Sequence, residues 1–357
     1  SGIFYYNSKT GARVTGFVKV DGKEYYFDPV TGAAKTGLYN VNGVTCYFDK
    51  TTGQRKYGLQ KVNGQLRYFN QGTTAPGYAT GLKTVDGKKY YFYASNGIAL
   101  TGFQIKDGVK YYFDPTTCAA ISGIRRVSGG HAYYFNASGG VKTGWVTVSG
   151  KSYFFYPATG MMAEGLSSVG DYLYYFDYSK GALRNTTVTV GGVSYQFDED
   201  GHGKAMGDSL VAKLINTGIE NFDKSYGGES DMENPKSFSC SQLVMYVYES
   251  IGVDLKRRPP RQYHMLANNV YESEIIDDIS KAKAGDVIFF ITTNCGITPC
   301  DFENEVHHVG VYLGDGKILE SYGIEGDSIN NGPMIRDVSD GLWSSFIYGL
   351  ARINGVE

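Results

Sequence analysis

A glycine followed by an apolar or aromatic residue recurs along the first part of the chain at a nearly constant interval. Six of the seven consecutive intervals are 21 residues long and one is 23, and the glycines are Gly16, Gly37, Gly58, Gly81, Gly102, Gly123, Gly144 and Gly165. A fixed period near 20 residues indicates a repeat protein, whose units bury their apolar faces against neighbouring units. The period therefore predicts an array, and not one globular core, over residues 1–204.

The sequence within each unit predicts a β-hairpin. In the first clear unit, Gly16-Phe17 is followed by Asp21-Gly22 and then by the aromatic run Tyr25-Tyr26-Phe27. Two β-rich runs on either side of an Asp-Gly or Asn-Gly turn form a hairpin. We therefore predict an all-β solenoid of about nine hairpins for the array.

The composition supports a turn-rich β protein and gives no reason to expect a polyanionic partner. The chain of 357 residues has 48 Gly and 31 Tyr with charged residues at 20%, which argues against disorder. A net charge of -2 provides no electrostatic argument for binding nucleic acid or an anionic membrane. No apolar run reaches 18 residues, so no membrane span is predicted. The start at Ser1-Gly2-Ile3 lacks the features of a signal peptide, so we expect any export signal to have been removed.

Most aromatic residues of the array are predicted to pack between strands, because short hairpins need large side chains to build a core. The others should lie exposed in grooves between hairpins. There a ring can stack on a sugar or cage a quaternary ammonium group, and many weak sites together bind a repetitive polymer. The candidate ligand contacts are Trp145, Tyr26, Tyr112 and Tyr134.

These units resemble the cell-wall-binding repeats shared by choline-binding proteins, glucan-binding glucosyltransferases and the receptor-binding ends of large clostridial toxins. The resemblance covers residues 1–204. Choline-binding members usually place Trp after the glycine, whereas here only Trp145 does so, and Phe, Leu or Ile takes the other positions. The resemblance therefore implies binding to a wall polysaccharide or teichoic acid, and it favours a saccharide over choline as ligand.

The 21-residue period stops after Gly203, and the remaining residues read as one α+β domain. A helix is predicted near Asp208 to Ile215. We therefore predict two domains, residues 1–204 and residues 205–357, that share few contacts. A fragment covering the second domain is expected to fold on its own.

Three segments of the second domain carry candidate chemistry. Cys240 begins an amphipathic helix, where unpaired N–H groups and the helix dipole favour the thiolate. Residues 284–290 read as a turn that leads into a strand, and residues 307–320 read as a hairpin with its turn at Gly314-Asp315-Gly316.

In this order the three segments resemble the NlpC-type cysteine peptidases, a papain-like family of peptidoglycan endopeptidases. The resemblance implies that Cys240 is the nucleophile, that His308 is the base and that Glu320 orients the histidine. It also implies a secreted, wall-associated hydrolase without a cofactor, which cleaves the stem peptide after γ-D-glutamate. His307 is expected to face away, because neighbouring strand residues point to opposite faces. Glu320 is also compatible with a surface carboxylate.

The sequence departs from that family beside the nucleophile, where Ser239 replaces the usual Asp and Gln242 the usual Gly. Candidate substrate contacts are Tyr226, Ser239, Ser241 and Arg258. The same dyad would also serve a transpeptidase or acyltransferase, and a non-enzymatic adhesin that binds glycans is a third possibility.

Five irregularly spaced cysteines do not form a disulfide framework, and at least one thiol should be free. Cys295 and Cys300 flank a short loop in which a disulfide is plausible. A zinc site that includes His307 is the alternative, but no fourth ligand is evident, so no metal is predicted.

Overall fold

The computed structural model describes residues 2–72, 77–127, 129–228, 232–291, 306–323, 331–338 and 346–356. The chain forms two compact units, residues 1–143 and residues 144–357. The first unit contains repeats only. The second contains the last repeats together with the α+β domain.

The first unit is built from antiparallel hairpins, as the sequence predicted. Its strands are β1 (Gly16–Val20), β2 (Lys23–Phe27), β3 (Gly37–Val41), β4 (Val44–Phe48), β5 (Arg55–Lys56), β6 (Gly58–Val62), β7 (Gln65–Phe69), β8 (Gly81–Val85), β9 (Lys88–Phe92), β10 (Gly102–Lys106), β11 (Val109–Phe113), β12 (Gly123–Arg126), β13 (Ala132–Phe135) and β14 (Val141–Lys142). The turn residues Asp21 and Gly22 have φ of 47° and 78°. Positive φ at both central residues identifies the type I′ turn, whose twist matches that of paired strands.

The last aromatic residue of each hairpin forms the core of the first unit. Six phenylalanines at this position are at most 2% exposed, namely Phe27, Phe48, Phe69, Phe92, Phe113 and Phe135. The residue after the repeat glycine lies further out, since Phe17 is 50% exposed. Burial therefore separates packing aromatics from those available to a ligand.

The second unit contains three more hairpins, three helices and a six-stranded antiparallel sheet in the order β25-β30-β26-β27-β28-β29. The described part of the chain thus holds nine repeat hairpins, as predicted. The elements are β15 (Gly144–Val148), β16 (Lys151–Phe155), β17 (Gly165–Val169), β18 (Tyr172–Asp177), β19 (Gly181–Ala182), β20 (Thr186–Val190), β21 (Val193–Phe197), β22 (Gly203–Ala205), α1 (Leu210–Ile219), β23 (Ser225–Tyr226), β24 (Ser237–Phe238), α2 (Cys240–Glu249), α3 (Pro259–Ala267), β25 (Ser273–Ile276), a 3-10 turn (Ile279–Lys281), β26 (Val287–Ile291), β27 (Val306–Gly314), β28 (Lys317–Gly323), β29 (Asn331–Asp337) and β30 (Ile347–Ile353).

Helix α1 begins and ends later than the sequence pattern predicted. The Ser209 hydroxyl accepts a hydrogen bond from the Ala212 N–H at 3.1 Å, which caps the helix and fixes its start at Leu210. Burial of Leu214 and Ile215 attaches the helix to the core that also contains α2 and the sheet.

The prediction of few contacts across residue 204 is wrong. Leu166, Leu173 and Tyr195 of the last hairpins belong to the same buried core as Leu214 of α1. The hairpins also bond directly to the sheet, because the Ile335 N–H donates to the Ser168 hydroxyl at 2.9 Å. The sequence period ends near residue 204, but the apolar faces of the last hairpins are buried by the α+β domain.

The helices and cysteines of the described residues can be compared with the predictions of no membrane span and of at least one free thiol. No helix in the ranges given above is long and apolar enough to cross a membrane. Cys46, Cys118 and Cys240 are free thiols. Cys295 and Cys300 lie outside the described residues, as does the loop proposed for their disulfide or zinc site.

Candidate active site

Cys240 is the first residue of α2 and is 7% exposed. The preceding residue, Ser239, forms a capping box with Gln242, whose Oε1 accepts the Ser239 backbone N–H at 3.4 Å and the Ser239 hydroxyl at 2.9 Å. Gln242 is fully buried and also faces the Met232 thioether, with Nε2 3.6 Å from Sδ. The two departures from the family pattern therefore form one capping interaction that holds the nucleophile at the positive end of the helix dipole.

His308 and Glu320 come together from the adjacent strands β27 and β28. The distance between His308 Nε2 and Glu320 Oε2 is 2.5 Å. His308 is 7% exposed and Glu320 is fully buried, so Glu320 is not a surface carboxylate. Because Nε2 is bound to the carboxylate, Nδ1 is the ring nitrogen left for Cys240.

His308, and not the adjacent His307, continues the regular pairing of β27 with β26. Phe290 of β26 pairs with His308, whereas the next residue, Ile291, pairs with Val306, so the register passes over His307. The register is uninterrupted from Val311 to His308, so strand alternation puts His308 on the same face as Glu320, while His307 lies in the bulge. The structure thus places His308, and not His307, beside Glu320.

The electrostatic surroundings of His308 favour the imidazolium. Burial opposes a charged ring, but the Cys240 thiolate and the Glu320 carboxylate outweigh it and raise the pKa of His308 to about 10. An imidazolium at this position is placed to stabilise a thiolate on Cys240, the reactive form of a cysteine nucleophile.

The four predicted substrate contacts have different surroundings. Tyr226 is 44% exposed, and its ring lies against Gly323 at the end of β28. Burial, together with the Cys240 thiolate, raises the pKa of the Tyr226 hydroxyl, so the phenol stays a hydrogen-bond donor.

The other three candidates lie at the ends of α2 and α3. The buried Ser241 accepts the Arg258 N–H at 3.3 Å, and the Ser239 hydroxyl is used in the helix cap. Arg258 itself is exposed and has φ of 85°. An arginine in this strained conformation beside the nucleophile is typical of a functional loop. Substrate contact by these residues stays a prediction.

Sequence reasoning missed Arg336 of β29, whose Nε lies 3.1 Å from Glu320 Oε1. A basic residue one position before the end of a strand carries no recognisable motif. Only the pairing of β28 with β29 brings it to the carboxylate. No group of three or more His, Cys, Asp or Glu in the described residues is arranged to hold a metal ion.

Two clusters of three aromatic rings, which we call cages, occupy corresponding positions of the array, and each is formed by two consecutive hairpins. Trp145 packs edge-on against Phe154 and Tyr174, with ring centroids 5.5 Å and 5.1 Å apart. Phe103 packs in the same way against Tyr112 and Tyr133.

The two cages differ in what fills them. Lys110 Nζ lies 4.5 Å from the Phe103 ring and 5.1 Å from the Tyr133 ring, so the chain supplies its own cation. Ser152 takes the corresponding place two residues before Phe154, and Trp145 is 45% exposed. Of the other predicted ligand contacts, Tyr26 and Tyr134 are half-buried, and Tyr112 is only 6% exposed.

Comparison with known protein families assigns both parts of the chain. Residues 224–352 match the NlpC/P60 family. Residues 79–123 match the choline-binding repeat, and residues 15–29 and 143–158 match a cell wall binding repeat.

Curated relatives match the C-terminal part of the chain. A probable endopeptidase p60 of Listeria grayi is 28% identical over 119 residues, which are 33% of this chain and 18% of that protein. The murein DD-endopeptidase MepH of Escherichia coli is 31% identical over 158 residues, 43% of this chain and 49% of that protein. The chain therefore spans less than half the length of these relatives. Choline binding protein F of Streptococcus pneumoniae, a solved structure, is 27% identical, with 56% of this chain and 60% of that chain covered and a TM-score of 0.36.

Proposed function

We propose that this chain, which carries an NlpC/P60 domain behind choline-binding repeats, is a cell-wall hydrolase that cleaves an amide bond in peptidoglycan stem peptides. The proposal rests on three buried residues: Cys240 at the start of α2, and His308 and Glu320 on the adjacent strands β27 and β28. The repeats would anchor the enzyme to wall polysaccharide or teichoic acid, which makes a secreted, wall-associated protein the fitting location. The bond after γ-D-glutamate is the proposed target.

The geometry supports a thiol mechanism. The Cys240 thiolate attacks the amide carbonyl, and backbone N–H groups at the start of α2 stabilise the oxyanion. The His308 imidazolium protonates the leaving amine, while Glu320 holds the ring and stabilises its charge. Water activated by the neutral His308 then hydrolyses the acyl-enzyme.

Digestion of purified sacculi, with mass spectrometry of the released ends, tests this function. A hydrolase leaves new carboxyl and amino ends at one bond of the stem peptide. A transpeptidase or acyltransferase would instead yield products extended by an added amine. An adhesin would bind the sacculi without releasing fragments, and that result would refute the enzymatic proposal.

Substitution of the two adjacent histidines should have unequal effects. His308→Ala is expected to lower hydrolysis by about 10³-fold or more, because it removes both the proton donor and the partner of the thiolate. His307→Ala should retain activity within a few-fold, since strand alternation turns only His308 toward Glu320. Rates of fragment release from sacculi measure both. The reverse order of effects would show that the register of β27 is wrong.

The open cage at Trp145 is the proposed ligand site of the second unit. Trp145→Ala should weaken binding to purified walls by about 10-fold, because a ring that stacks on a ligand contributes about 1–2 kcal/mol. Phe103→Ala is the matched control. It removes the corresponding ring from the cage that Lys110 already fills, so binding should stay near that of the unchanged chain.

This binding is measured without hydrolysis by sedimenting purified walls together with a chain that carries Cys240→Ala. Added choline separates the two ligand classes, and we expect weak competition because the site should accept a saccharide. Equal losses for Trp145→Ala and Phe103→Ala would contradict the distinction between an open and a filled cage.

A further inference from the structure

The carboxylate of Glu320 lies between two basic side chains. Its Oε2 is bound by His308 Nε2 at 2.5 Å, and its Oε1 lies 3.1 Å from Arg336 Nε. We propose that Arg336 is a positioning residue for the reaction, which holds Glu320 as a carboxylate aimed at His308 and thereby maintains the Cys240 thiolate. This inference rests on the proposed function and adds Arg336 to the series of contacts formed by Cys240, His308 and Glu320.

The packing of Arg336 fixes the direction of its guanidinium group. The guanidinium carbon lies 4.7 Å from the centroid of the Tyr322 ring, and Nη2 lies 3.6 Å from Met334 Sδ. The side chain is 18% exposed. An arginine held by a ring, a thioether and a carboxylate loses little further freedom when it stabilises charge, so its position favours a defined role.

The strand pairing explains why this arginine reaches the carboxylate. On β28, Ile318 and Glu320 are two residues apart and therefore share a face. Arg336 is opposite Ile318, and Met334 is opposite Glu320. The arginine is thus a diagonal neighbour of Glu320 on the same face, within the reach of a long side chain.

A buried carboxylate needs compensating charge. Glu320 is fully buried, and an ionised carboxyl group is stable there only if it is paired. Among the described residues, His308 of β27 and Arg336 of β29 contact the carboxylate, and Tyr322 contacts both of these side chains. Cys240 of α2 lies beyond His308. Arg336 is therefore the permanent cation of this cluster.

The groups form a line of alternating charge: thiolate, imidazolium, carboxylate and guanidinium. If Arg336 is removed, the buried Glu320 loses the guanidinium beside its Oε1 and stabilises the His308 imidazolium less. An imidazolium that is less favoured over the neutral ring stabilises the Cys240 thiolate less. The Cys240 thiolate should then be lost at a higher pH than in the unchanged chain.

Alkylation of Cys240 by iodoacetamide tests this coupling between Arg336 and Cys240 in the full chain. The alkylation rate is measured against pH by mass spectrometry of the Cys240 peptide. For R336Q we expect the midpoint of alkylation to rise by about one pH unit. Release of fragments from sacculi should fall by about 10- to 100-fold. R336K keeps the charge and should move the midpoint less. Because an unfolded chain would also show a raised midpoint, the shift is read only in variants that still unfold cooperatively in urea.

A matched control and a double substitution separate the coupling of Arg336 to Cys240 from the general effects of losing a buried arginine. Arg352 makes two hydrogen bonds to Asp286, at 2.9 Å and 2.8 Å, elsewhere in the same unit, and R352Q should keep the original midpoint. In a chain that already carries E320Q, adding R336Q should produce no further shift, because Arg336 acts through Glu320.

An unchanged midpoint in R336Q, or independent shifts that add in E320Q/R336Q, would overturn the proposal. If R336Q alone fails to fold, the comparison of E320Q with E320Q/R336Q decides, because the double variant leaves no unpaired carboxylate. Alkylation does not require the wall substrate. A chain that releases nothing from sacculi but shows these shifts would refute the proposed hydrolase function and leave the role of Arg336 standing.

Discussion

Replacement of Cys240 by alanine is expected to lower hydrolysis of purified sacculi by about 10⁴-fold or more, because no nucleophile remains to form the acyl-enzyme. The fold should persist. The substitution removes only a sulfur atom from a side chain at the start of α2, so the free energy of unfolding should change by about 1 kcal/mol. Fragment release and chemical denaturation measure the two effects separately.

Cys46→Ala is the matched control for this substitution. Cys46 is 2% exposed in the array, and burial raises the pKa of its thiol, so it contains little thiolate at neutral pH. Its loss should leave the rate of hydrolysis unchanged. Lytic activity retained by Cys240→Ala would show that the nucleophile lies elsewhere.

Truncation at the end of the repeat period is expected to destroy the C-terminal domain. A fragment of residues 205–357 lacks Leu166, Leu173 and Tyr195, which belong to the core of α1 and the sheet. Each large buried apolar side chain contributes about 1.5–3 kcal/mol, and a domain has only about 5–15 kcal/mol of net stability. Losing several of them should leave the fragment unfolded or aggregated.

A fragment of residues 144–357 provides the matched control, since it keeps the three hairpins that the core requires. It should unfold cooperatively in urea and cleave soluble stem peptides as the full chain does. On intact walls it should be weaker by about a hundredfold, because it lacks the anchoring sites of the first unit. Cooperative unfolding and full peptide cleavage by residues 205–357 would contradict the structural argument.

The hairpins were predictable because their determinants are local. A turn of the Asp21-Gly22 kind requires positive φ at both positions, and the alternation of aromatic residues sets the register. The extent of helix α1 was less predictable, because its start depends on the Ser209 cap and its end on packing. The division of the chain depends on which apolar surfaces meet, and the repeat period does not contain that information.

The candidate site was predictable only where residue types carry a motif. Cys240 at a helix start and His308 before Val-Gly have recognisable neighbours. Glu320 was compatible with two environments until its complete burial decided between them. Ser239 and Gln242 looked like two unrelated departures, yet they form one helix cap.

The sequence by itself determined the repeat architecture, the helix that begins at Cys240 and the chemistry of its thiol, because these follow from turns, caps and short-range periodicity. Tertiary structure alone decided three further features. Burial placed Glu320 in the site rather than at the surface, strand pairing brought Arg336 to Glu320, and shared burial joined the last hairpins to the α+β domain. Each depends on contacts between residues distant in sequence, whose free energy arises only when strands and hydrophobic surfaces meet.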